Sequence, residues 1–537
     1  MDCKSYPLAR LPHASRLFVD FLERFPQVTD FYSLKPSHDG VLEGVRKAPF
    51  TPQTRGAVAD VLLEQNREFG ADAEVERNIE RFRAGGAAVV TGQQVGLFSG
   101  PAYTFYKALA AVRLARELTE SGIEAVPIFW LATEDHDLAE VNQCFWATRA
   151  GFERIELAFP EEAAGRPVGE IQLPAEITEA VRGVCGKLEG PSTPSVTRAL
   201  EESYRSGETL GRAFGRLMTR LFTGRGLILL DPLDRRLHRL AASHYDAALE
   251  ASETLEARLL ERAEELTGLG YHTQVRVGEG STLLFWNVDG RRYPLERRGG
   301  RLHAGNADFA HAEFRQALAA QPERASANVL MRPVVQDALL GTAVYVAGSS
   351  EVAYFAQAEV VYRGLGVPMP AILPRPGFTL VEGALNRLLA KYRLGIEDVF
   401  EGRQHLRAQM QRESLPGDLQ ERFGKGEATL QEVLEGLREP LTRLDASLGG
   451  ALETVERKIR YQYTKLNEKA GRAIDFRSGI IDRHEQLLTD LLYPHRGLQE
   501  RSLCFLPMLA WQGMPLLDAL EGWASPEAAL HQVVFLS

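Results

Sequence analysis

The stretch from residue 87 to residue 142 decides the fold. It opens with a short apolar run that enters a glycine-rich loop, AAVVTGQQVGLFSGP at 87–101. An amphipathic run from Tyr103 to about Thr119 follows, and a second apolar run then enters a polar cluster, VPIFWLATEDHD at 126–137. This order predicts a strand, a loop, a helix and a second strand. Such units build parallel sheets, and ligands bind beyond the carboxyl ends of their strands. We therefore expect both polar segments to face one crevice.

A second unit of the same kind begins at about residue 326. The run TAVYVA at 342–347 predicts a strand, GSSE at 348–351 opens a helix, and PAIL at 370–373 predicts another strand. We expect an α/β protein with one Rossmann-like parallel sheet, built from residues 86–150 and 326–377. Residues 151–325 would then be an insertion, mostly antiparallel, with a hairpin turn at Asp289-Gly290 and a buried strand at 226–231.

The other segments are mainly helical. Residues 1–85 predict a helical layer that packs on the core, and residues 378–490 predict a helical domain. From Leu430 to Leu466 the apolar residues keep three- and four-residue spacing, which is typical of a coiled coil. Pro440 interrupts this pattern, so a helical hairpin or a short dimerising coil is favoured over a long rod. Residues 491–537 form a C-terminal segment on the core, with a strand expected at 533–536.

Composition excludes several classes of protein. The 537 residues carry a net charge of -10, which argues against nucleic acid or an anionic membrane as the main partner. The first residues do not resemble a signal peptide, and no apolar run is long enough to cross a bilayer. The four cysteines are far apart and form no C-x-x-C pair, which suits a reducing compartment. We expect a cytoplasmic protein.

The loop at 91–101 has glycines at positions 92, 96 and 100, but it is neither a Walker A loop nor G-x-G-x-x-G. A loop that enters a helix offers free backbone amides to an anion. Gln93 and Gln94 add neutral hydrogen-bonding groups, and Lys107 lies one helical turn past Tyr103. A tight turn between a strand and a helix is the equally supported alternative.

The cluster Glu134-Asp135-His136-Asp137 sets three carboxylates beside an imidazole at a predicted strand end. Neighbouring carboxylates raise each other's pKa, and histidine titrates near neutral pH. The cluster suits a general base or a site for an ammonium group. A solvated turn is the alternative, and one histidine among carboxylates is weak evidence for a metal.

Three further polar groups have open interpretations. Ser349 and Ser350 either cap a helix or contact a ligand. Arg332, Gln336 and Asp337 lie in an apolar context, as a buried ion pair or as ligand contacts. The basic turn at 493–501 is a plain loop or a binding loop.

Several of these motifs together resemble one family. They are the 91–101 loop with Tyr103, Tyr106 and Lys107, the 126–137 segment, NVLMRP at 328–333 with Gln336-Asp337, GSSE at 348–351, and LQER at 498–501. In these residues the chain resembles the cysteine-adding enzymes of bacillithiol biosynthesis, the BshC family. The resemblance implies a Rossmann-like core similar to class I aminoacyl-tRNA synthetases, interrupted by connective-peptide insertions. It also implies a C-terminal coiled coil that forms a homodimer.

The resemblance further implies a reaction, in which cysteine is joined through an amide to the amine of glucosaminyl-malate, the last step of bacillithiol synthesis. It implies a bound adenine nucleotide, ATP or ADP; from the residues themselves we expect no metal. Analogy with the related mycothiol ligase suggests a cysteinyl adenylate. The sequence has neither the His-Ile-Gly-His nor the Lys-Met-Ser-Lys-Ser signature of synthetases, which leaves the nucleotide's role open.

Together, the motifs and this reaction lead us to predict roles for individual residues. Asp135, His136 and Asp137 would act at the acceptor amine or at the ammonium of cysteine, with His136 as the base. The substrate-binding residues would be Gln93, Gln94, Gly96, Gly100, Tyr103, Lys107, Glu134, Arg332, Gln336, Asp337, Ser349 and Ser350. The nucleotide-binding residues would be Arg496, Gln499 and Arg501. Two other functions stay open: a non-catalytic scaffold that binds a nucleotide or sugar, and a metal-dependent hydrolase that uses the 134–137 cluster.

Overall fold

The computed structural model describes residues 2–536, apart from the side chains of residues 471, 472 and 474–478. Its strands are β1 (Asp2–Pro7), β2 (Ala87–Gln93), β3 (Ala125–Leu131), β4 (Gln143–Thr148), β5 (Gly151–Glu156), β6 (Ile228–Leu230), β7 (Ser281–Val288), β8 (Arg291–Arg298), β9 (Arg301–Ala304), β10 (Ala307–Phe309), β11 (Ala325–Ala327), β12 (Thr342–Ala347), β13 (Ala371–Pro374), β14 (Gly377–Val381) and β15 (Leu530–Phe535).

The α-helices are α1 (Arg16–Glu23), α2 (His38–Lys47), α3 (Pro52–Phe69), α4 (Ala73–Arg83), α5 (Tyr103–Glu120), α6 (Leu138–Val141), α7 (Ile177–Cys185), α8 (Thr193–Ser203), α9 (Leu210–Leu221), α10 (Arg235–Glu250), α11 (Ser252–Gly268), α12 (His311–Ala320), α13 (Arg332–Leu340), α14 (Ser349–Leu365), α15 (Gly383–Lys391), α16 (Ile396–Phe400), α17 (Arg403–Glu413), α18 (Gly417–Leu444), α19 (Ser447–Ser478), α20 (Ile480–Leu492), α21 (Leu506–Gln512) and α22 (Pro515–Trp523).

A five-stranded parallel sheet forms the centre, in the order β13-β12-β2-β3-β6. The two predicted units therefore join in one sheet, as expected, with β12 beside β2. Side chains of successive strand residues point to opposite faces. Val89 and Phe129 accordingly pack in the core on the α5 side, whereas Val90 and Ile128 pack in the core on the other side. Burial on both faces explains why these strands are continuous apolar runs.

The region predicted as an insertion needs a correction, because it contains a strand of the central sheet. Ile228 to Leu230 pair in parallel with Ile128 to Trp130, so β6 closes one edge of that sheet. A three-residue apolar run has no periodicity that could reveal its partner. The predicted hairpin is confirmed: Asp289 and Gly290 have φ values of 53° and 81°, as a type I′ turn requires.

The two ends of the chain meet in a small sheet, which corrects the prediction of a purely helical N-terminal layer. β15 pairs antiparallel with β1 and parallel with β14. The expected C-terminal strand is confirmed, while β14 lies in the region predicted to be helical from residue 378. The sequence at 2–7 lacks strand-like alternation, and its partner is the opposite end of the chain. Local patterns therefore could not reveal it.

The C-terminal helices α18 and α19 pack against each other as a helical hairpin, one of the two forms that the interrupted coiled-coil pattern predicted. Leu434 and Leu452 are buried in the hairpin. Other apolar side chains on the same two helices are exposed: Leu419, Val433, Leu437, Leu444, Val455 and Leu466.

Candidate active site

A cavity of about 660 Å³ lies beyond the carboxyl ends of the central strands. Gln93 ends β2, Glu134 follows β3, Gly348 follows β12 and Arg375 follows β13, and all four line the cavity. The hairpin of β7 and β8 adds Arg292 from the opposite side. The structure thus brings the two polar segments of the first βαβ unit to one crevice, at the place where parallel α/β sheets bind ligands.

Lys107 forms the floor of this cavity and is fully engaged by the protein. Its ammonium donates to the Gly92 carbonyl oxygen at 2.7 Å and to Gln93 Oε1 at 3.1 Å, and it forms an ion pair with Glu351. An ammonium has three donors, and three acceptors surround this one. Gln93 also donates to the Tyr103 hydroxyl at 3.0 Å. Lys107 and Gln93 therefore stabilise the cavity wall, which we call the brace, and their polar groups are bound to other groups of the protein.

Glu351 completes this brace at the start of α14. Its carboxylate accepts hydrogen bonds from the Gly348 amide at 2.6 Å and from the Tyr345 hydroxyl at 2.8 Å. Burial alone would raise the pKa of Glu351, but the Lys107 ammonium and these hydrogen bonds lower it below its usual value. Burial lowers the pKa of Lys107. The pair joins β2, α5 and α14 at the point where the order of the strands reverses.

Asp135, His136 and Arg292 form one wall of the cavity. Asp135 accepts hydrogen bonds from the His136 backbone amide at 2.7 Å and from the Gln94 side-chain amide. Arg292 donates to His136 Nδ1 at 3.1 Å, and its guanidinium lies 3.8 Å from the centre of the Phe285 ring. The side-chain acceptor of Gln94, Oε1, is buried and has no hydrogen-bond partner among the described residues.

Burial and the contact with Arg292 together set the charge and the tautomer of His136. A guanidinium can only donate, so Nδ1 of His136 must accept. Burial and then the charge of Arg292 lower the pKa of His136, which keeps the ring neutral near pH 7. A neutral imidazole that accepts at Nδ1 carries its proton on Nε2. His136 therefore presents a hydrogen-bond donor to a ligand, which disfavours the role of base that the sequence suggested.

Arg332, at the start of α13, also lines the cavity, and it shares the wall of a small annex with Glu134. Its guanidinium donates to Gln336 Oε1 at 2.9 Å and to the Tyr354 hydroxyl at 2.8 Å. Gln336 in turn donates to Asp337 Oδ1 at 2.9 Å, and the Tyr362 hydroxyl also donates to that carboxylate. Gln336 and Asp337 lie behind Arg332 and outside the cavity lining, so they orient the guanidinium and do not contact a ligand.

Comparison with known proteins identifies the family. Residues 1–376 match the family described as bacillithiol biosynthesis BshC, N-terminal Rossmann-like domain, and residues 378–536 match its C-terminal coiled-coil domain. The chain belongs to the BshC family. A relative from Koribacter versatilis (strain Ellin345) is 40% identical over 99% of both chains. One from Solibacter usitatus (strain Ellin6076) is 36% identical over 99% of this chain and 100% of its own. Both relatives are named as proposed cysteine ligases, BshC.

Not every residue singled out in this BshC chain reaches the cavity. A Cβ atom on Gly96 would lie 2.9 Å from the Gly100 Cα atom, so these two glycines allow a close turn between β2 and α5. Asp137 caps α6 by accepting a hydrogen bond from the Glu140 amide at 3.2 Å. Neither glycine nor Asp137 lines the cavity. The two glycines thus form a tight turn, and Asp137 forms a helix cap.

The C-terminal segment of the BshC chain divides in the same way. Arg501 lines the cavity and donates to the Ser349 hydroxyl at 3.3 Å. Gln499 is buried, and its amide group is hydrogen-bonded to the backbone of Leu380 and Leu491. Arg496 does not line this cavity or the smaller chamber that adjoins it, which is described below. Its carbonyl oxygen is 3.1 Å from His13 Nε2. Of the three residues predicted to bind a nucleotide, only Arg501 has a side chain that lines the cavity.

A second chamber of about 380 Å³ adjoins the main cavity. The two share Ser349, Ser350, Arg375 and Arg501 in their walls. Leu8, Leu11, Phe18, Leu498 and His13 form much of the rest of the second chamber.

Sequence reasoning missed several residues that line the main cavity: Arg276, Arg292, Tyr345, Tyr354 and Arg375. Arg375 directly follows β13, so the rule that applied to Glu134 could have found it. Arg292 comes from a hairpin in another part of the chain, and nothing in its local sequence points to the cavity. Among the described residues, no group of three or more His, Cys, Asp and Glu side chains is placed to hold a metal ion. In that same part of the chain, no helix is long and apolar enough to cross a membrane.

Proposed function

We propose that this protein is a ligase that joins cysteine to the amine of glucosaminyl-malate, the last step of bacillithiol synthesis. The family description names bacillithiol biosynthesis, and the names of the relatives propose a cysteine ligase. The observation that carries the proposal is the charge distribution of the main cavity. Its lining combines guanidinium groups, among them Arg276, Arg332 and Arg501, with carboxylates and a buried amide oxygen.

The guanidinium groups of the cavity suit the malate end of the acceptor. Within the described part of the chain, the hydrogen-bond partners of the Arg332 guanidinium, Gln336 and Tyr354, are both uncharged. Arg501 and Arg276 line the same cavity. Guanidinium groups bind carboxylates in bidentate fashion, and malate brings two of them. Arg332 is thus available for a substrate carboxylate, in contrast to Arg375, which forms an ion pair with Glu500 at 2.6 Å.

The acceptor groups of the cavity suit the amine that becomes acylated. These acceptors are Asp135, Glu134 and the unpartnered Oε1 of Gln94. An ammonium group has three donors, and several acceptors on one wall can hold it in a fixed direction. His136 Nε2–H would donate to a hydroxyl or carbonyl oxygen of the substrate.

We propose the second chamber as the site of the adenine nucleotide. Ser349 at the start of α14 and Arg501 would bind phosphate, because helix N-termini and guanidinium groups both favour anions. Leu8, Leu11 and Phe18 offer an apolar surface for the base. A bound triphosphate would supply the activation that a free carboxylate needs before it can form an amide. Arg501 and Ser349 face both chambers and would orient the groups that meet there.

We also propose that the protein is a homodimer in the cytoplasm. The exposed apolar side chains of α18 and α19 form a surface that a second copy of the hairpin would cover. The four cysteines are free thiols, and both they and the cysteine substrate persist best in a reducing compartment.

The decisive experiment incubates the purified protein with cysteine and glucosaminyl-malate, with and without ATP and Mg²⁺, and detects the amide product by mass spectrometry. Calorimetric titration with glucosaminyl-malate accompanies it, for the wild type, Asp135→Asn and Arg332→Gln. We expect product formation, and at least tenfold weaker acceptor binding in both variants. Arg298→Gln, on an exposed part of β8 outside the cavity, should bind like the wild type. Binding without any product would support a scaffold, and neither binding nor product would refute the proposal.

A further inference from the structure

Glu134 occupies an unusual position on the cavity wall. It follows the end of β3, and its side chain lines the main cavity while 9% of the residue is exposed. Behind it lies a very small annex whose wall includes Leu237, Ala241 and Tyr245 of α10. His238 and Arg332 also line this annex, so the carboxyl group lies between the ligand space and a small interior that is partly apolar.

The Glu134 carboxylate lacks the hydrogen bonds that a buried carboxylate normally has. None of the described residues donates a hydrogen bond to it. His238 Nε2 lies 3.6 Å from Glu134 Oε1, and His238 is 3% exposed. Burial lowers the pKa of His238 to about 4, so the ring is neutral near pH 7 and cannot balance a negative charge on Glu134. A buried carboxylate without donors is costly to ionise and favours its protonated form.

The charged and titratable groups around Glu134 come from every element packed against it. They are Arg292 on β8, Arg332 on α13, Asp231 after β6, Asp135 in the same loop, and His238 and Tyr245 on α10. Burial raises the pKa of Glu134 most strongly, the two aspartates raise it further, and the two guanidinium groups oppose this. The outcome is a pKa of about 7.

We propose that Glu134 is the general base that takes the proton from the acceptor amine. This inference rests on the proposed function and replaces the role that the sequence suggested for His136. In the step, an N–H bond of the substrate ammonium breaks and the proton moves to a Glu134 carboxylate oxygen. The amine lone pair then forms the N–C bond to the activated cysteinyl carbonyl carbon. The C–O bond to the leaving group breaks, and that group departs with the electron pair and accepts the second proton that the nitrogen loses as the amide forms.

Two features fit Glu134 to this step better than its neighbours. A base works best when its pKa lies near the working pH, since it must be ionised before the transfer and protonated after it. Asp135 already accepts two hydrogen bonds, and His136 directs a donor toward the cavity. Burial against His238 and the mostly apolar side chains of the annex keeps the pKa of Glu134 raised.

The test compares pH profiles of kcat/KM for the acceptor in the wild type, Glu134→Gln and Glu134→Asp. We expect the wild-type profile to rise with an apparent pKa near 7. Glu134→Gln should lose about 100-fold or more in activity, the usual contribution of a general base, and its profile should lack that rise. Glu134→Asp should retain partial activity and a rise at lower pH. Glu382→Gln is a matched control, because Glu382 also has a pKa raised to about 7 by burial but lies outside the cavity.

Infrared difference titration of the protein without substrates gives a second readout. The wild type should show a protonated-carboxyl C=O signal that disappears with a midpoint near pH 7, and Glu134→Gln should lack one such signal. The inference is overturned if Glu134→Gln keeps more than a third of wild-type activity with an unchanged profile, or if His136→Asn alone removes the rise. Absence of product from the wild type at every pH would instead refute the proposed function.

Discussion

Arg292 shows at the scale of a single residue how the cavity wall is held together. Besides His136, its guanidinium donates to the Ser326 hydroxyl at 2.8 Å and to the Ala327 carbonyl oxygen at 2.6 Å. It also lies over the Phe285 ring. Only 9% of its side chain is exposed, so its charge acts on the neighbouring titratable groups through a medium of low polarity.

Replacing Arg292 should change the titration of His136. Arg292→Gln removes a positive charge that disfavours the imidazolium, so the pKa of His136 should rise toward its ordinary value. Burial still opposes ionisation, so the rise should be partial. NMR titration of labelled histidines would measure it, with His136→Asn to assign the signal. The exposed Arg298→Gln serves as control and should leave the signal unmoved; a fall in the pKa of His136 in Arg292→Gln would contradict the prediction.

His531 on β15 should contribute to acid sensitivity. Burial lowers its pKa to about 4, and its Nε2 is hydrogen-bonded to the Thr379 hydroxyl at 2.8 Å. The unfolded chain therefore binds more protons than the folded one between about pH 4 and 6.5, so stability rises with pH in this window and is lost as the pH falls. One proton corresponds to about 1.4 kcal/mol per pH unit.

The His531→Gln variant should accordingly lose less stability between pH 7 and pH 5 than the wild type does. Thermal unfolding midpoints at the two pH values would show this as a smaller decrease. The exposed His311→Gln provides the matched control and should behave like the wild type. An identical decrease in His531→Gln and the wild type would show that His531 does not couple folding to protonation.

At the scale of elements, the Lys107–Glu351 pair joins two helices to the sheet. α5 and α14 begin beside neighbouring strands, and the pair links them across the cavity floor. Both side chains are largely shielded from solvent, at 3% and 16% exposure, so neither charge is well solvated when its partner is removed.

Breaking this pair from one side should be costly. Lys107→Met leaves the Glu351 charge buried and unpaired, so it should destabilise the protein by about 3–5 kcal/mol. The double variant Lys107→Met/Glu351→Gln removes both charges and should recover part of that loss, as a double-mutant cycle would quantify. Urea unfolding followed by circular dichroism is the measurement. Lys425→Met breaks an exposed pair with Glu421 and should cost less than about 0.5 kcal/mol; an equal cost at both sites would contradict the argument.

At the scale of the whole molecule, the helical hairpin should control assembly. Leu437 is 44% exposed and Leu444 is 79% exposed, on a hairpin that buries only part of its apolar surface. Leu437→Glu/Leu444→Glu should convert a dimer into monomers, because the interface would have to bury two carboxylates. Sedimentation equilibrium would measure the change. Leu260→Glu, at another exposed leucine with 46% exposure on α11, should leave the dimer intact. A wild type that sediments as a monomer would refute the proposed dimer.

Short sequence patterns predicted those elements that are specified by residues close together in the chain. The helix expected from Tyr103 to about Thr119 spans Tyr103 to Glu120, because its apolar spacing matches the helical period. The Asp289-Gly290 turn formed as expected, because two residues with positive φ specify that hairpin. The sheet positions of β1 and β6 could not be predicted in this way. Their partners lie far away in the sequence, and short strands carry little periodicity.

The sequence by itself determined which residues stand at the ends of the strands, and so it placed Gln93, Glu134 and Gly348 at one crevice. Only the tertiary structure decided which of these groups are free for a ligand. Lys107 and Gln499 are hydrogen-bonded to the backbone inside the protein, whereas Glu134 lines the cavity and the hydrogen-bond partners described for Arg332 are uncharged. The physical reason is that the availability of a polar group depends on its partners, and these come from distant segments. Arg292, 156 residues from His136 along the chain, donates to His136 Nδ1 and so leaves the ring proton on Nε2.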